Sequence, residues 1–188
     1  DTTGTNVEDN GVIKKAYEVI SGDLQTVGSE VAIGDEHFYI ISSDEESVTM
    51  LAKKNITTDT TPKQSSSAPT IAFSSTAYWS STVSTYPAYV YDSNSTLYNY
   101  VENYRTYLES QGAEVEEARL IKYEELTALG CSGYSCTGPS WVYRTSYYSG
   151  AAPSSNRIWG VGSNGGFSGD SYSFPYTYGV RPVITLTL

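Results

Sequence analysis

Side chains able to do acid–base, nucleophilic or metal chemistry are few. One histidine, His37, and two cysteines, Cys131 and Cys136, stand in a chain of 188 residues. A four-ligand zinc site cannot be assembled from so few Cys and His residues. The cysteines fall in "GCSGYSCTG", a spacing unlike the C-x-x-C redox motif. A local disulfide closing this Gly/Ser-rich loop fits them best, with two free thiols as the alternative. Such a bond contributes about 2 kcal/mol by the chain-entropy argument, and it persists outside the reducing cytosol. His37 lies beside Phe38 in a strand-like run, where a satisfied or half-exposed side chain is expected rather than a general base. A Ser–His–Asp triad would have to use it, and no nucleophile-elbow glycine pattern accompanies any serine. Glu116-Glu117 and Glu124-Glu125 read as ordinary surface carboxylates. The expectation is therefore no catalysis, no metal and no cofactor.

What remains is binding by contact. Residues 143–178 carry Tyr143, Tyr147, Tyr148, Tyr172, Tyr176 and Tyr178, together with Arg144, Asn156, Arg157, Asn164 and Asp170. Rigid aromatics supply contact area at low entropic cost, and Asn and Ser adapt their hydrogen bonds. The candidate exposed set is Tyr147, Tyr148, Asn164, Asp170, Tyr172 and Tyr176. The competing reading packs half of these tyrosines beneath the loops, as expected for Trp141, Trp159 and Phe167.

Composition narrows the partners. With 11 Lys+Arg against 21 Asp+Glu the formal charge is −10, and no basic cluster offers a surface for nucleic acid or anionic membrane. No apolar run approaches the length of a membrane-spanning helix. The 18 Tyr and 16 Gly, against 4 Phe and 1 Met, place many aromatic hydroxyls where they meet water or a partner, or else reflect a β-rich surface. A start at Asp1 reads as trimmed, compatible with a removed signal peptide or anchor.

These residues must be positioned by a mixed α+β scaffold. Residues 1–10 are polar and aperiodic, an unstructured leader. "GVIKKAYEVISGD" has helical spacing and predicts a short helix or a stalk, so residues 1–28 read as a linker and 29–188 as the domain. "EVAIGDEHFYIISSDEESVTMLAKK" predicts three antiparallel strands with turns at Gly34-Asp35 and Asp44-Glu45-Glu46. "NITTDTTPKQSSSAPT" predicts a mobile loop, and 71–91 has no clear assignment. Leu97, Tyr100, Val101, Tyr104 and Leu108 make one stripe of a helix with serine N-caps and Gly112 beyond its end. A second helix fits "YEELTALG". The final strand follows Arg181-Pro182 and must pair with the early meander, bringing the N- and C-terminal strands together.

In this order, "GDEHFYIISSDEESVTMLAKKNI", "ARLIKYEELTALGC", "WVYRTSYYSGAA", "RIWGVGSNGGF" and "YGVRPVITL" resemble bacterial C-type-lectin-fold domains of unassigned function over about residues 28–188. That family is found in Gram-positive gut bacteria and is distantly similar to the formylglycine-generating, sulfatase-modifying fold. The resemblance implies that the closing strand pairs with the first strands and that Arg181 is structural, its planar fork satisfying carbonyls or a carboxylate beneath the loops. Pro182 is tolerated where its missing N–H points away from the ladder. Sulfatase-modifying relatives use two cysteines late in the domain; here both precede Trp141, against an oxidase. The E-P-N and W-N-D tripeptides of animal C-type lectins are missing, and Asp170 is the only acid of 143–178, against a calcium-bridged sugar site.

The reading that follows is an extracellular or cell-surface-anchored domain binding a protein or carbohydrate through its Tyr/Ser/Asn/Gly-rich loops. The alternatives are a self-associating structural subunit of a surface fibre or pilus and a variable protein of a diversity-generating retroelement. Cys131, Cys136, Trp141, Trp159 and Arg181 are the expected structural residues.

Overall fold

The alternation that begins at Glu30 folds as three antiparallel strands in the middle of a six-stranded sheet. The computed structural model describes residues 6–9, 12–74, 83–171 and 178–188. In chain order come β1 (Asn6–Asp9), β2 (Val12–Lys15), β3 (Glu18–Ser21), β4 (Glu30–Ile33), β5 (Glu36–Ser43), β6 (Ser47–Ala52) and β7 (Ala88–Tyr89). Helix α1 (Tyr98–Ser110), β8 (Val115–Arg119) and helix α2 (Tyr123–Ala128) follow. The loop-rich region holds β9 (Cys131–Ser132), β10 (Ser135–Cys136), β11 (Tyr147–Tyr148), β12 (Ala151–Ala152), β13 (Arg157–Val161) and β14 (Phe167–Ser171), and β15 (Val183–Thr187) closes the sheet. The chain is α+β with antiparallel pairing between its named strands.

The main sheet runs β3-β4-β5-β6-β15-β8. The strand following Arg181-Pro182 thus lies on the opening meander, as expected, between β6 and β8. Val183 stands opposite Leu51 and Ile184 opposite Met50. Because side chains alternate across a sheet, these neighbouring pairs face opposite ways, and both faces are covered. On one face Val31, Ile33, Phe38, Ile40, Val48, Met50, Ile184 and Leu186 form a core with α1. On the other, Leu51 and Val183 meet Ile121, Leu126, Leu129, Val142, Tyr147, Val161 and Phe167. Each such side chain contributes about 1.5–3 kcal/mol by leaving water.

Leu97, Val101, Tyr104 and Leu108 are buried on the sheet side of α1, while Tyr100 is half-buried. No side chain caps its N-terminus; Ser95 Oγ instead accepts the Asp92 N–H at 3.0 Å in the preceding turn. Gly112 (φ 93°) ends the helix, as the sequence predicts. Helix α2 forms as expected, its first turn held by Glu125, which accepts the Lys122 N–H at 2.9 Å.

Three local expectations are corrected. No helix forms over 11–23, where β2 and β3 stand instead. Glu18 and Val19 pair with Ala32 and Val31, and Tyr17 and Leu24 join the first core, so ladder bonds and burial override a short stretch of helical spacing. The sheet therefore starts ahead of the boundary placed at residue 29. The polar leader contains β1, which pairs with β2. Residues 55–70 are not a free loop: Ile56 is fully buried, its N–H donates to Val180 O at 2.8 Å, and it bridges to Gln64. In the unassigned stretch, Phe73, Val90 and Tyr91 are core residues, and β7 pairs with β12.

Candidate functional site

Beyond β6 the chain leaves the sheet as a narrow hairpin. Ser65 N–H donates to Asn55 O at 2.9 Å, and Thr57 N–H to Lys63 O at 2.9 Å. Gln64 fastens this hairpin to the domain. Its Nε2 donates to His37 O (2.7 Å) and to Tyr104 Oη (3.0 Å), its N–H donates to Glu36 Oε1 (2.8 Å), and its Oε1 accepts the Lys54 N–H (3.1 Å). Glu36 is buried; burial pushes its carboxyl above the usual range, against the lowering effect of the Gln64 N–H.

The facing segment, Arg144–Ser146, is held from beneath. Arg181 is fully buried and donates to Ala52 O, to Val142 O at 3.0 Å and to Trp141 O at 2.6 Å. Its guanidinium also lies over the Tyr147 ring. Among the described residues it has no carboxylate partner, and burial draws its pKa down to about 10. Three carbonyls and a ring face thus do the work that an acid would do elsewhere.

Between the two segments lies a cleft of about 400 Å³, lined by Lys54, Asn55, Ser65, Ser66, Ala68, Thr70, Arg144, Thr145, Ser146 and Ser163. Asn55 spans its base, donating through Nδ2 to Ser146 O at 2.9 Å. Gly179 permits this: a Cβ there would lie 2.2 Å from Asn55 Nδ2. The remaining polar atoms are left over. Asn55 Oδ1 and Thr145 Oγ1 are buried and have no hydrogen-bond partner, a cost of about 1–3 kcal/mol each unless something completes them. Lys54 and Arg144 are exposed, and Arg144 lies over the Tyr39 ring, 5.6 Å from its centre. No carboxylate lines the cleft. Beside it, Glu30 is shared by Lys53 (2.6 Å) and the half-exposed His37 (3.1 Å), so that histidine is satisfied within the protein.

The six binding residues expected from sequence do not assemble. Tyr147 and Tyr148 are buried, donating to Val142 O at 2.6 Å and Ile71 O at 2.7 Å. They face inward because β11 joins the β13–β14 sheet and both rings enter the cores. Asn164 is exposed, but its Oδ1 accepts the Gly166 N–H at 3.0 Å and shapes its own turn. Asp170 stands opposite Ile158 in the β13–β14 ladder. Tyr172 and Tyr176 lie outside the described residues.

The structural residues stand as expected. Cys131 and Cys136 form a disulfide, Trp141 stacks on Tyr39 and Trp159 on Tyr123, and Phe167 is buried.

Sequence reading passed over Asn55, Thr145 and the cleft serines. The signal was the density of Ser and Thr in "NITTDTTPKQSSSAPT", which was read as mobility alone. Among the described residues, no helix is long and apolar enough to cross a membrane. No family model, curated protein or solved structure matches this chain.

Proposed function

We propose that the chain is an extracellular, surface-displayed binding domain of C-type lectin-like fold that takes a protein or carbohydrate ligand without catalysis. The observation that carries this reading is the cleft between 54–70 and 144–146, with two buried polar atoms that the protein leaves unpaired. It supersedes the tyrosine face, since Tyr147 and Tyr148 are core. The Cys131–Cys136 disulfide supports an oxidising compartment, and the paired terminal strands leave the intervening chain as the excursion that a lectin-like scaffold uses for binding.

The test is retention on arrays of glycans and extracellular proteins, repeated with Ser66→Trp. Ser66 is exposed at the cleft, so the indole blocks it without disturbing the core. Loss of retention with unchanged melting supports the reading; a ligand held equally well by the variant sinks it. A fibre subunit is the second reading, favoured by β3, an edge strand paired with β4 alone that exposes Ile20. That reading requires mass to rise with concentration in sedimentation. The retroelement variable-protein alternative loses Tyr147 and Tyr148 as displayed positions.

A further inference from the structure

We infer that the cleft selects an acidic saccharide, one carrying carboxylate or sulfate beside its hydroxyls. This inference rests on the binding-domain reading and narrows it to a ligand class. Two sets of groups carry it. Asn55 Oδ1 can only accept a hydrogen bond, so the ligand must bring a donor; Thr145 Oγ1 can donate or accept. Both are buried and unpartnered, and Asn55 cannot turn away because its Nδ2 is engaged by Ser146 O with Gly179 packed against it. A bare inorganic anion offers acceptors only and leaves Asn55 Oδ1 unpaired. A saccharide hydroxyl completes both atoms.

Charge supplies the second requirement. The chain carries a formal −10, yet the cleft is lined by Lys54 and Arg144 and by no acid. Lys53, nearby, is neutralised by Glu30 at 2.6 Å, whereas Lys54 and Arg144 take part in no ion pair among the described residues. Arg144 is braced by the Tyr39 ring, which fixes the guanidinium plane and leaves its N–H groups for a ligand acid. A peptide carboxylate could meet the same cations, but the lining is hydroxyls with one small apolar residue, Ala68, and offers no pocket for peptide side chains.

The experiment measures binding of the whole chain to uronate-, sialate- and sulfate-bearing oligosaccharides beside neutral ones, with carboxyl-reduced or desulfated forms of each ligand retained. The expected result is that an acidic oligosaccharide binds and that removing its acid weakens binding about tenfold or more. Arg144→Gln should produce a similar loss. Thr145→Val should also weaken binding while melting stays the same or rises, because its hydroxyl has no protein partner; mere attraction between opposite charges would ignore this change. Equal retention of neutral and acidic forms, or indifference to both variants, overturns the inference and leaves the domain a binder of other ligands. Retention of proteins but of no oligosaccharide overturns it in the same way. Failure of the binding-domain reading shows differently, as retained ligands indifferent to Ser66→Trp.

Discussion

The guanidinium carbon of Arg181 sits 4.9 Å from the centre of the Tyr147 ring, and neither side chain reaches solvent. Burial pushes the Tyr147 hydroxyl up to about 12 and the Arg181 guanidinium down to about 10. Both therefore keep their ordinary protonation states at neutral pH. The pair joins the end of β6, the 141–142 turn and β11 through Ala52 O, Trp141 O and Val142 O.

Arg181→Lys should destabilise the fold by about 3 kcal/mol, since an ammonium cannot reach three carbonyls while covering a ring. Tyr147→Phe loses one buried bond and should cost about 1–2 kcal/mol. Urea denaturation measures both; a near-neutral Arg181→Lys would remove the guanidinium from the centre of the second core.

Arg119 grips Glu125 through two bonds, of 2.7 and 2.8 Å. Burial raises the Glu125 carboxyl, but Arg119 outweighs it and holds the group below its usual value. A carboxyl depressed on folding contributes stability that is full above its unfolded pKa of about 4.3 and is lost as pH falls through the folded value. Glu125→Gln should therefore cost about 2–3 kcal/mol at pH 7, the low end for a carboxylate still 20% exposed. It should also flatten the decline in stability between pH 5 and 3, both read from denaturation across pH.

Glu36 carries the opposite sign. Its carboxyl is raised, by burial first, so its contribution is full below the unfolded pKa and falls away as pH rises through the higher folded value. Glu36→Gln keeps an oxygen for the Gln64 N–H and should leave stability at pH 7 equal or higher. A drop of more than about 1 kcal/mol would mean that the ionised form is itself required by the Gln64–Tyr104 network.

Removing the disulfide as the double variant Cys131→Ser, Cys136→Ser should cost about 2 kcal/mol by the loop-closure argument. Both sulfurs sit in the second core, so the loss should appear as faster hydrogen exchange in β9, β10 and α2, while β4 and β5 stay protected.

Where sequence reading succeeded, one period dominated. Val48, Met50, Ile184 and Leu186 alternate cleanly and share the first core, and the 97–108 stripe repeats every three or four residues. Arg181 was legible because an arginine inside an apolar closing run must find carbonyls or an acid. Val19 and Ile20 suit a helix as well as an edge strand, and only the partner β4 decides between them. The tyrosines misled because loop composition does not say which way a ring points; β11 turns Tyr147 and Tyr148 inward by pairing with β13. Asn55 and Ser146 meet across 91 positions, a coincidence that no local pattern could carry.

The placement of β15 between β6 and β8 also orders events during synthesis. Until residue 187 has emerged from the ribosome, two long flanks of the nascent sheet lack the strand that joins them. Nearly the whole chain must wait, partly assembled, for its keystone. Such delayed, long-range closure makes for slow maturation and a period of vulnerability to aggregation. Polypeptides cut short ahead of Val183 should be cleared by proteases rather than accumulate.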